Sequence, residues 1–345
     1  MKILFIINSL KSKSGIERVA SLLANLFYNE LKYEVIIVNR DTQLSEVAFP
    51  FHNEIKVIKL KGNIISFYKQ LRNVINNEEP DRIIIHNMGK LSILCSILPK
   101  KNKELLSLEH VSFISRSMYL KLISKLFYKL IDKVVVLTQN DLKNYSGRNV
   151  YNISNISPYS ISNKSYSSNS KKVIAVGRLN YQKNFEDLIL AWSKIPRDII
   201  SKWRLEIWGE GEEYDNLLRL IKELNIKNIY LKGMANNMED IYLSSSFLVM
   251  SSLFEGLPMV LIEAQSFGLP IVSFDCPYGP SEVITHDKDG FIIPLRDIDS
   301  LASSIQRLIS SKDKRISFSD EAKKSALRYT KENILNQWKS LLEHK

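Results

Sequence analysis

The sequence FLVMSSLFEGLPMVLIEAQSFGLPIVSF, residues 247–274, decides the fold class of this chain. Its apolar runs at 247–250 and 270–274 are typical of buried strands, and the apolar stretch after Pro258 is typical of a helix. A strand, a helix and a second strand in this order indicate a βαβ unit, in which the two strands are parallel.

The same alternation continues in both directions from this segment. In the second half, the other strand-like runs are VIAV, RLEIW, NIYL and FIIP, at 173–176, 204–208, 228–231 and 291–294. In the first half they are ILFII, VIIV, KVIKL, RIIIH, LLSL and VVVL, at 3–7, 35–38, 56–60, 82–86, 105–108 and 134–137. Strands that alternate with helices predict an α/β protein made of two doubly wound domains.

Residues 157–170, SPYSISNKSYSSNS, separate the two halves and have seven serines in 14 positions. A segment this polar cannot bury a core and is interpreted as a linker. We therefore predict a first domain over 1–165, a second domain over 166–325 and a C-terminal helix over 326–345 that returns to the first domain.

The composition, 45% hydrophobic and 25% charged in 345 residues, is that of a soluble globular protein. No apolar run reaches the roughly 18 residues that cross a bilayer. The start, MKILFIINSL, is interpreted as a buried strand, because its apolar core is short and no small-residue cleavage site follows. Only two cysteines, Cys95 and Cys276, are present, so no disulfide framework is implied and a cytoplasmic location is expected.

The excess of positive charge lies in the first half. Residues 1–165 contain 24 Lys and Arg against 13 Asp and Glu, a net charge of +11, whereas residues 166–345 contain 24 of each. Such asymmetry favours an anionic partner for the first half: membrane headgroups, a lipid phosphate or a nucleic acid. The alternative is a charged surface that serves solubility alone.

A basic amphipathic stretch, FISRSMYLKLISKLFYKLIDK at residues 113–133, lies within that half. Its cations recur mostly every four residues, with apolar residues between them. Such a helix can lie on an anionic membrane, and the alternative is a helix packed on the sheet with its lysines in solvent. The candidate membrane-facing residues are Arg116, Lys121, Lys125, Lys129 and Lys133.

Two cations, Arg178 and Lys183, follow the strand at 173–176. In open α/β sheets ligands bind beyond the carboxyl ends of the strands, and a helix N-terminus there favours phosphate. A planar guanidinium and a compact ammonium suit a diphosphate. Two solvated surface cations are the alternative.

Two acids, Glu255 and Glu263, have seven residues between them. If that step were all helix, they would stand about 12 Å apart, whereas acids that flank one glycosidic bond stand roughly 5–9.5 Å apart. The spacing therefore favours two acids that bind different hydroxyls of an extended ligand over a hydrolase pair. A Glu263 bonded only within its own domain is the alternative. Cations that suit a diphosphate and acids that suit hydroxyl groups together indicate that the ligand is a nucleotide-sugar.

Several of these segments together resemble glycosyltransferase family 4: SGIERVA, VGRLNYQKNFEDLI, WRLEIWGEGEE and LSSSFLVMSSLFEGLPMVLIEAQSFGLPIVSFDCPYGPSEVI. The resemblance covers about 170–295 strongly and the first half more weakly. It implies the GT-B fold, in which two Rossmann-like domains face a central cleft. It also implies a retaining, metal-independent enzyme that uses a nucleotide-sugar.

The resemblance also implies roles for single residues in the second domain. Arg178 and Lys183 match the family's diphosphate-binding pair, and Glu263 matches the acid that holds the ribose. Glu255 matches the acid beside the transferred sugar, with the backbone of Gly256, Leu257 and Met259 close to it.

In the first domain, His110 ends a strand and resembles the family's histidine near the sugar and the acceptor. Gly15 resembles the glycine-rich loop at the donor phosphates. Many relatives have two adjacent glycines there, and this chain has Ser14-Gly15.

The expected activity is transfer of a hexose or N-acetylhexosamine, with UDP as the expected nucleotide, to a lipid-linked or cell-surface glycan of the capsule or lipopolysaccharide type. We expect an α linkage, no metal or other cofactor, no nucleic-acid partner, and a peripheral position on the inner face of the cytoplasmic membrane. A GT-B epimerase or phosphorylase remains an alternative, and a basic nucleic-acid-binding protein is a more distant one.

Overall fold

The structure is a computed structural model that describes residues 1–11, 14–40, 47–87, 89–100, 102–145, 149–164 and 166–343. Within these residues the chain divides into two compact units. Unit 1 comprises Met1–Ile156 and Lys331–Lys345, and unit 2 comprises Ser157–Thr330.

In its described residues, unit 1 contains a seven-stranded parallel sheet. The strands are β1 (Lys2–Ile7), β2 (Glu34–Asn39), β3 (Lys56–Lys59), β4 (Arg82–Asn87), β5 (Glu104–Glu109), β6 (Lys133–Val136) and β7 (Val150–Asn152), in the spatial order β3-β2-β1-β4-β5-β6-β7. The connecting helices are α1 (Gly15–Asn29), α2 (Ile64–Glu78), α3 (Lys90–Ser96), α4 (Met118–Phe127) and α5 (Gln139–Leu142).

Unit 2 contains a six-stranded parallel sheet in its described residues. The strands are β8 (Lys172–Val176), β9 (Arg204–Trp208), β10 (Ile229–Gly233), β11 (Phe247–Met250), β12 (Ile271–Phe274) and β13 (Gly290–Ile293), in the order β10-β9-β8-β11-β12-β13. The helices are α6 (Phe185–Ser193), α7 (Arg197–Ile200), α8 (Tyr214–Glu223), α9 (Met238–Leu243), α10 (Met259–Ser266), α11 (Pro280–Val283), α12 (Ile298–Ser310) and α13 (Lys312–Ala326).

The inner strands of each sheet are buried on both faces, which explains why they are apolar throughout rather than alternating. In β8, Val173 and Ala175 belong to a core with Leu188 of α6, while Ile174 between them is equally buried. Successive side chains of a strand point to opposite faces of the sheet. Burial of both Val173 and Ile174 therefore means that both faces of the sheet are covered at this strand. This is the doubly wound architecture predicted from the sequence.

The last helix, α14 (Lys331–Glu343), packs on unit 1. The ring of Trp338 lies 5.6 Å from that of Phe27 in α1, and the hydroxyl of Tyr33 donates to Glu343. The chain therefore passes from unit 1 to unit 2 at 156/157 and back at 330/331, whereas the boundaries predicted from the sequence were 165/166 and 325/326.

The serine-rich segment predicted as a linker packs on unit 2 over its described residues. The hydroxyl of Tyr166 donates to the backbone of Ser246, Ser162 N donates to Ser266 O, and the ring of Tyr159 lies 4.9 Å from that of Phe267. The serines of this segment provide little apolar surface, and its contacts with the rest of unit 2 are made in part by the rings of its tyrosines.

The basic stretch 113–133 is not one helix, and two of its predicted membrane-facing cations are buried. Arg116 precedes α4 and forms an ion pair with Glu109. Lys133 is the first residue of β6, where its ammonium lies 2.9 Å from Glu104 and donates to Leu341 O. Burial of a cation requires such partners, so the prediction was wrong for Arg116 and Lys133.

The other three cations lie toward solvent: Lys125 and Lys129 are exposed and Lys121 is half-buried. Within the described residues, no helix has both the length and the apolar character that a bilayer span requires.

Candidate active site

Lys183 and Glu255 come together at the edge of the unit 2 sheet where the parallel strands end, called the carboxyl edge below. Lys183 lies in the loop between β8 and α6, and Glu255 in the loop between β11 and α10. Lys183 Nζ is 2.5 Å from Glu255 Oε1, and both side chains are largely buried. Strands β8 and β11 are adjacent although β9 and β10 intervene in sequence, so the pair marks the topological switch point where doubly wound sheets bind ligands.

Gln182, which the sequence analysis did not single out, fastens these two loops to each other. Its side-chain nitrogen Nε2 donates to Phe254 O at 2.9 Å, and its backbone carbonyl oxygen accepts from Leu253 N at 2.8 Å. Ser251 Oγ donates to Lys183 O. These bonds hold Lys183 and Glu255 in register through their backbones.

Two glycines allow neighbouring loops to approach at the same edge. Gly209, after β9, has φ +142°, and a Cβ there would lie 1.9 Å from Gly177 O. Gly279, after β12, has φ +119°, and a Cβ there would lie 2.2 Å from Gly256 O. No side chain fits at such distances. The backbone of the loop after β9 therefore packs directly on Gly177, and that of the loop after β12 packs directly on Gly256.

Arg178 lies two residues after the end of β8 on the same loop as Lys183, and it is exposed. Its neighbour Leu179 is fully buried, and Leu179 N donates to Glu210 O. The loop backbone is thereby anchored while the guanidinium remains at the surface. At the end of the loop, Asn184 adopts a left-handed conformation, φ 48°, and turns the chain into α6.

The backbone from Gly256 to Met259 leads into α10. Leu257 is buried, Pro258 occupies the N-cap position, and Met259 is the first helical residue. The cap makes no side-chain hydrogen bond and the first turn has no acidic residue. The positive end of this helix therefore has no acidic side chain in its own first turn to neutralise it.

Glu263 lies in the second turn of α10 and is 2% exposed. Its Oε2 accepts a hydrogen bond of 2.9 Å from the hydroxyl of Tyr242 in α9. A buried carboxylate requires such bonding. No sequence pattern indicated Tyr242 as the partner. The predicted alternative, a Glu263 bonded within its own domain, and the predicted ribose role are both compatible with this geometry.

In unit 1, His110 directly follows β5 and packs against His86 of β4. His86 Nδ1 and His110 Nε2 are 3.1 Å apart, and the rings stack at 5.3 Å with 21° between their planes. Burial lowers the pKa of His110 to about 3. The pKa of His86 is lowered well below its ordinary value, mainly by burial and to a smaller extent by electrostatic interaction with His110. Both rings are therefore neutral at pH 7.

Gly15 is the first residue of α1 and is exposed, with Ser14 at the N-cap in an extended conformation. The hydroxyl of Ser14 donates to Glu17 in the first turn. Residues 12 and 13 of the predicted loop lie outside the described residues.

Comparison with known proteins identifies the family. Residues 160–325 match the family model described as Glycosyl transferases group 1. Over 99% of both chains, the sequence is 33% identical to the amylovoran biosynthesis glycosyltransferase AmsD of Erwinia amylovora. The chain belongs to the glycosyl transferases group 1 family. The prediction of a glycosyltransferase enzyme is confirmed.

This glycosyltransferase is also similar over its whole length to more distant proteins. It is 27% identical, over 99% of its own chain and 98% of the relative, to the GalNAc-alpha-(1->4)-GalNAc-alpha-(1->3)-diNAcBac-PP-undecaprenol alpha-1,4-N-acetyl-D-galactosaminyltransferase of Campylobacter jejuni. A structure of a TarM variant of S. aureus, in complex with fondaparinux, alpha-GlcNAc-glycerol and UDP, matches with a TM-score of 0.82 at 16% identity, over 99% of this chain and all of TarM. The predicted GT-B fold is confirmed.

Proposed function

We propose that this enzyme is a retaining family 4 glycosyltransferase that uses a UDP-linked hexose or N-acetylhexosamine and glycosylates a lipid-linked or cell-surface glycan. The observation that carries the proposal is the Lys183–Glu255 pair at the switch point of unit 2, with Arg178 exposed on the same loop. A cation pair and a carboxylate at one edge suit the two chemical halves of such a donor.

The first role of this edge is to stabilise the leaving group. When the bond between the sugar and the diphosphate breaks, negative charge builds up on the diphosphate. Arg178 and Lys183 supply positive charge for it, and electrostatic stabilisation of this kind is the usual dominant contribution in such sites. The uncapped N-terminus of α10 adds a favourable field.

The second role is to bind the sugar. Lys183 donates to Glu255 in the structure, and a bound diphosphate offers this ammonium a second anionic partner. As Lys183 moves toward the phosphate, Glu255 becomes free to accept hydrogen bonds from sugar hydroxyls. Binding of a diphosphate to Lys183 would thus make the Glu255 carboxylate available to the sugar.

The donor nucleotide and the α linkage find support in the similar proteins. The TarM structure contains UDP, and the names of the Bacillus subtilis, S. aureus and Campylobacter relatives specify alpha-glycosyl transfer. For an α-linked donor, an α product means that the configuration is retained, and a single displacement achieves this when the acceptor hydroxyl attacks from the face that the nucleotide leaves. No residue is assigned as a covalent nucleophile.

A lipid-linked acceptor requires contact with a membrane, and the outer face of α4 supports this part of the proposal. Leu122 and Leu126, 71% and 62% exposed, lie beside the exposed Lys125 and Lys129. Apolar side chains flanked by lysines match the interfacial layer of an anionic bilayer, where each Lys contributes on the order of 1 kcal/mol.

The direct test is sugar transfer from a panel of nucleotide-sugars to a lipid-diphosphate-linked glycan, with and without EDTA. We expect transfer from a UDP-sugar, unchanged by EDTA, with the anomeric configuration retained in the product by NMR. An inverted product would contradict the retaining mechanism. Loss of transfer in EDTA with rescue by Mn²⁺ would contradict the metal-free mechanism.

A further inference from the structure

The contact between the stacked histidines of unit 1, His86 and His110, determines the tautomer of His110, that is, which of its ring nitrogens carries the hydrogen. His86 lies between two rings: Phe5 of β1 at 4.7 Å on one side and His110 at 5.3 Å on the other. His86 is 2% exposed and His110 8% exposed. The surrounding strands thus fix the 3.1 Å contact between His86 Nδ1 and His110 Nε2.

Because both rings are neutral, each has one N–H group and one lone pair. At 3.1 Å, one of the two facing nitrogens must donate and the other must accept. The two directions differ in what they require of the remaining nitrogen of each ring.

The remaining nitrogen of His86 decides between them. His86 Nε2 is buried and has no hydrogen-bond partner among the described residues. If His86 Nδ1 accepted, Nε2 would carry a buried N–H without an acceptor, at a cost of about 1–3 kcal/mol. Orphaned buried donors are rarer than unsatisfied acceptors, so the favoured direction is donation from His86 Nδ1–H to His110 Nε2.

We propose that His86 is a positioning residue that holds His110 as the neutral tautomer with hydrogen on Nδ1, so that His110 donates a hydrogen bond to an oxygen of bound substrate. No described residue bonds to His110 Nδ1, and this atom is not among the buried unpartnered ones. Its N–H is thus available to a ligand. The identity of that ligand, a sugar hydroxyl or a phosphate oxygen of the donor or acceptor, rests on the proposed function.

The tautomer is measured directly, without substrate, by two-bond ¹H–¹⁵N correlation spectra of the imidazole rings at pH 7. Substituting each histidine in turn assigns the signals. We expect Nδ1 protonated and Nε2 unprotonated in His110, and Nδ1 protonated in His86. A His110 protonated at Nε2 would overturn the proposal.

Two nearly isosteric variants test whether His86 sets this state. His86→Asn keeps a donor near the position of Nδ1 and should preserve the His110 tautomer. An ionised carboxylate in His86→Asp can only accept, and it should move the hydrogen of His110 to Nε2. If His110 gives the same spectrum in both folded variants and in the parent, His86 does not control it. If the Asp variant does not fold, the spectrum of the parent still decides.

Kinetics test the donor role. His110→Asn keeps an amide donor near Nδ1, whereas His110→Ala removes it. We expect kcat/KM to fall roughly 10-fold or more in the Ala variant, the worth of one hydrogen bond, with substantial recovery in the Asn variant. Full activity of His110→Ala would overturn the donor role. Absence of transfer by the parent with every nucleotide-sugar would instead refute the proposed function and leave the NMR result standing.

Discussion

At the scale of the residue, the account depends on a pair that the sequence predicted only in part. Arg178, Lys183 and Glu255 could be placed just beyond strand ends because they follow apolar runs, and Glu263 could be placed in the helix after Pro258. The direct Lys183–Glu255 bond could not be predicted, because it depends on β8 and β11 being neighbours. Sheet order is a tertiary property that local patterns do not specify.

His86 was missed for a related reason. It stands inside an apolar strand, where a lone histidine gives no functional signal, and its contact with His110 arises from the pairing of β4 with β5.

Removal of either cation should slow turnover without unfolding the protein. Lys183→Ala and Arg178→Ala should each lower kcat by about 10²-fold or more, because a preorganised charge no longer stabilises the leaving diphosphate. Initial rates with a saturating nucleotide-sugar provide the measurement. Lys222→Ala, an exposed lysine of α8, is the matched control and should keep the parent rate. Near-normal kcat in both site variants would remove the phosphate role.

The neutral His110 should make stability depend on pH. Its pKa is about 3 in the folded protein against 6.5 ordinarily, so between these values the unfolded chain binds a proton that the folded chain does not. Its contribution is fully present above pH 6.5 and is lost as the pH falls, by up to about 1.4 kcal/mol per pH unit. Urea unfolding from pH 7 to 4.5 should show a shallower decline in His110→Gln. Equal slopes would contradict a buried neutral ring.

At the scale of the element, the basic stretch shows where helical spacing misleads. Cations spaced by about four residues predicted one helix over 113–133. The structure has a 3-10 turn at Phe113–Ser115, then α4, then a second 3-10 turn at Tyr128–Leu130. Ser117 caps α4 by accepting from Leu120 N, a start signal that the sequence contains. Lys133 is buried by partners far along the chain, Glu104 and Leu341. Arg116 is buried because the chain turns back after β5 and brings it onto Glu109, and helical spacing does not indicate such a turn.

The outer face of α4 should bind anionic vesicles through both charge and apolar contact. Lys125→Gln with Lys129→Gln should weaken binding to phosphatidylserine-containing vesicles, measured by co-sedimentation, by roughly 30-fold, from the loss of two Lys contributions of about 1 kcal/mol each. Leu122→Ser with Leu126→Ser should weaken it without any change in charge.

The control for the charge variant has the same change in net charge elsewhere in unit 1. Lys61→Gln with Lys69→Gln alters two exposed lysines at and near α2 and should bind vesicles as the parent does. Equal loss in both double variants would mean that only total charge matters and that α4 is not a specific docking face.

Across the two units, the sequence predicted the fold well because the inner strands are buried on both faces and are therefore continuous apolar runs. Each of the apolar runs that was interpreted as a strand forms a strand in the structure. The three-residue β7, with half-buried and exposed side chains, was missed since it lacks an apolar run. The serine-rich segment showed that a polar composition does not prevent packing when tyrosines are interspersed.

Donor binding should stabilise the folded protein against heat. A nucleotide-sugar at 100 times its Kd should add about 2.7 kcal/mol to the free energy of unfolding, seen as a rise in Tm. Uridine, which lacks the diphosphate, should have a much smaller effect. The difference between UDP and uridine should shrink in Arg178→Ala and Lys183→Ala. If it persists unchanged in both variants, these cations do not bind the diphosphate.

In the proposed mechanism, Arg178 and Lys183 of one loop neutralise a departing diphosphate while the neighbouring Glu255 carboxylate binds the sugar. The most direct measurement is a crystal structure with an uncleaved UDP-sugar analogue. The account predicts Lys183 Nζ and the Arg178 guanidinium within hydrogen-bond distance of diphosphate oxygens, and Glu255 facing a sugar hydroxyl. A bound analogue from which these three side chains point away would contradict it.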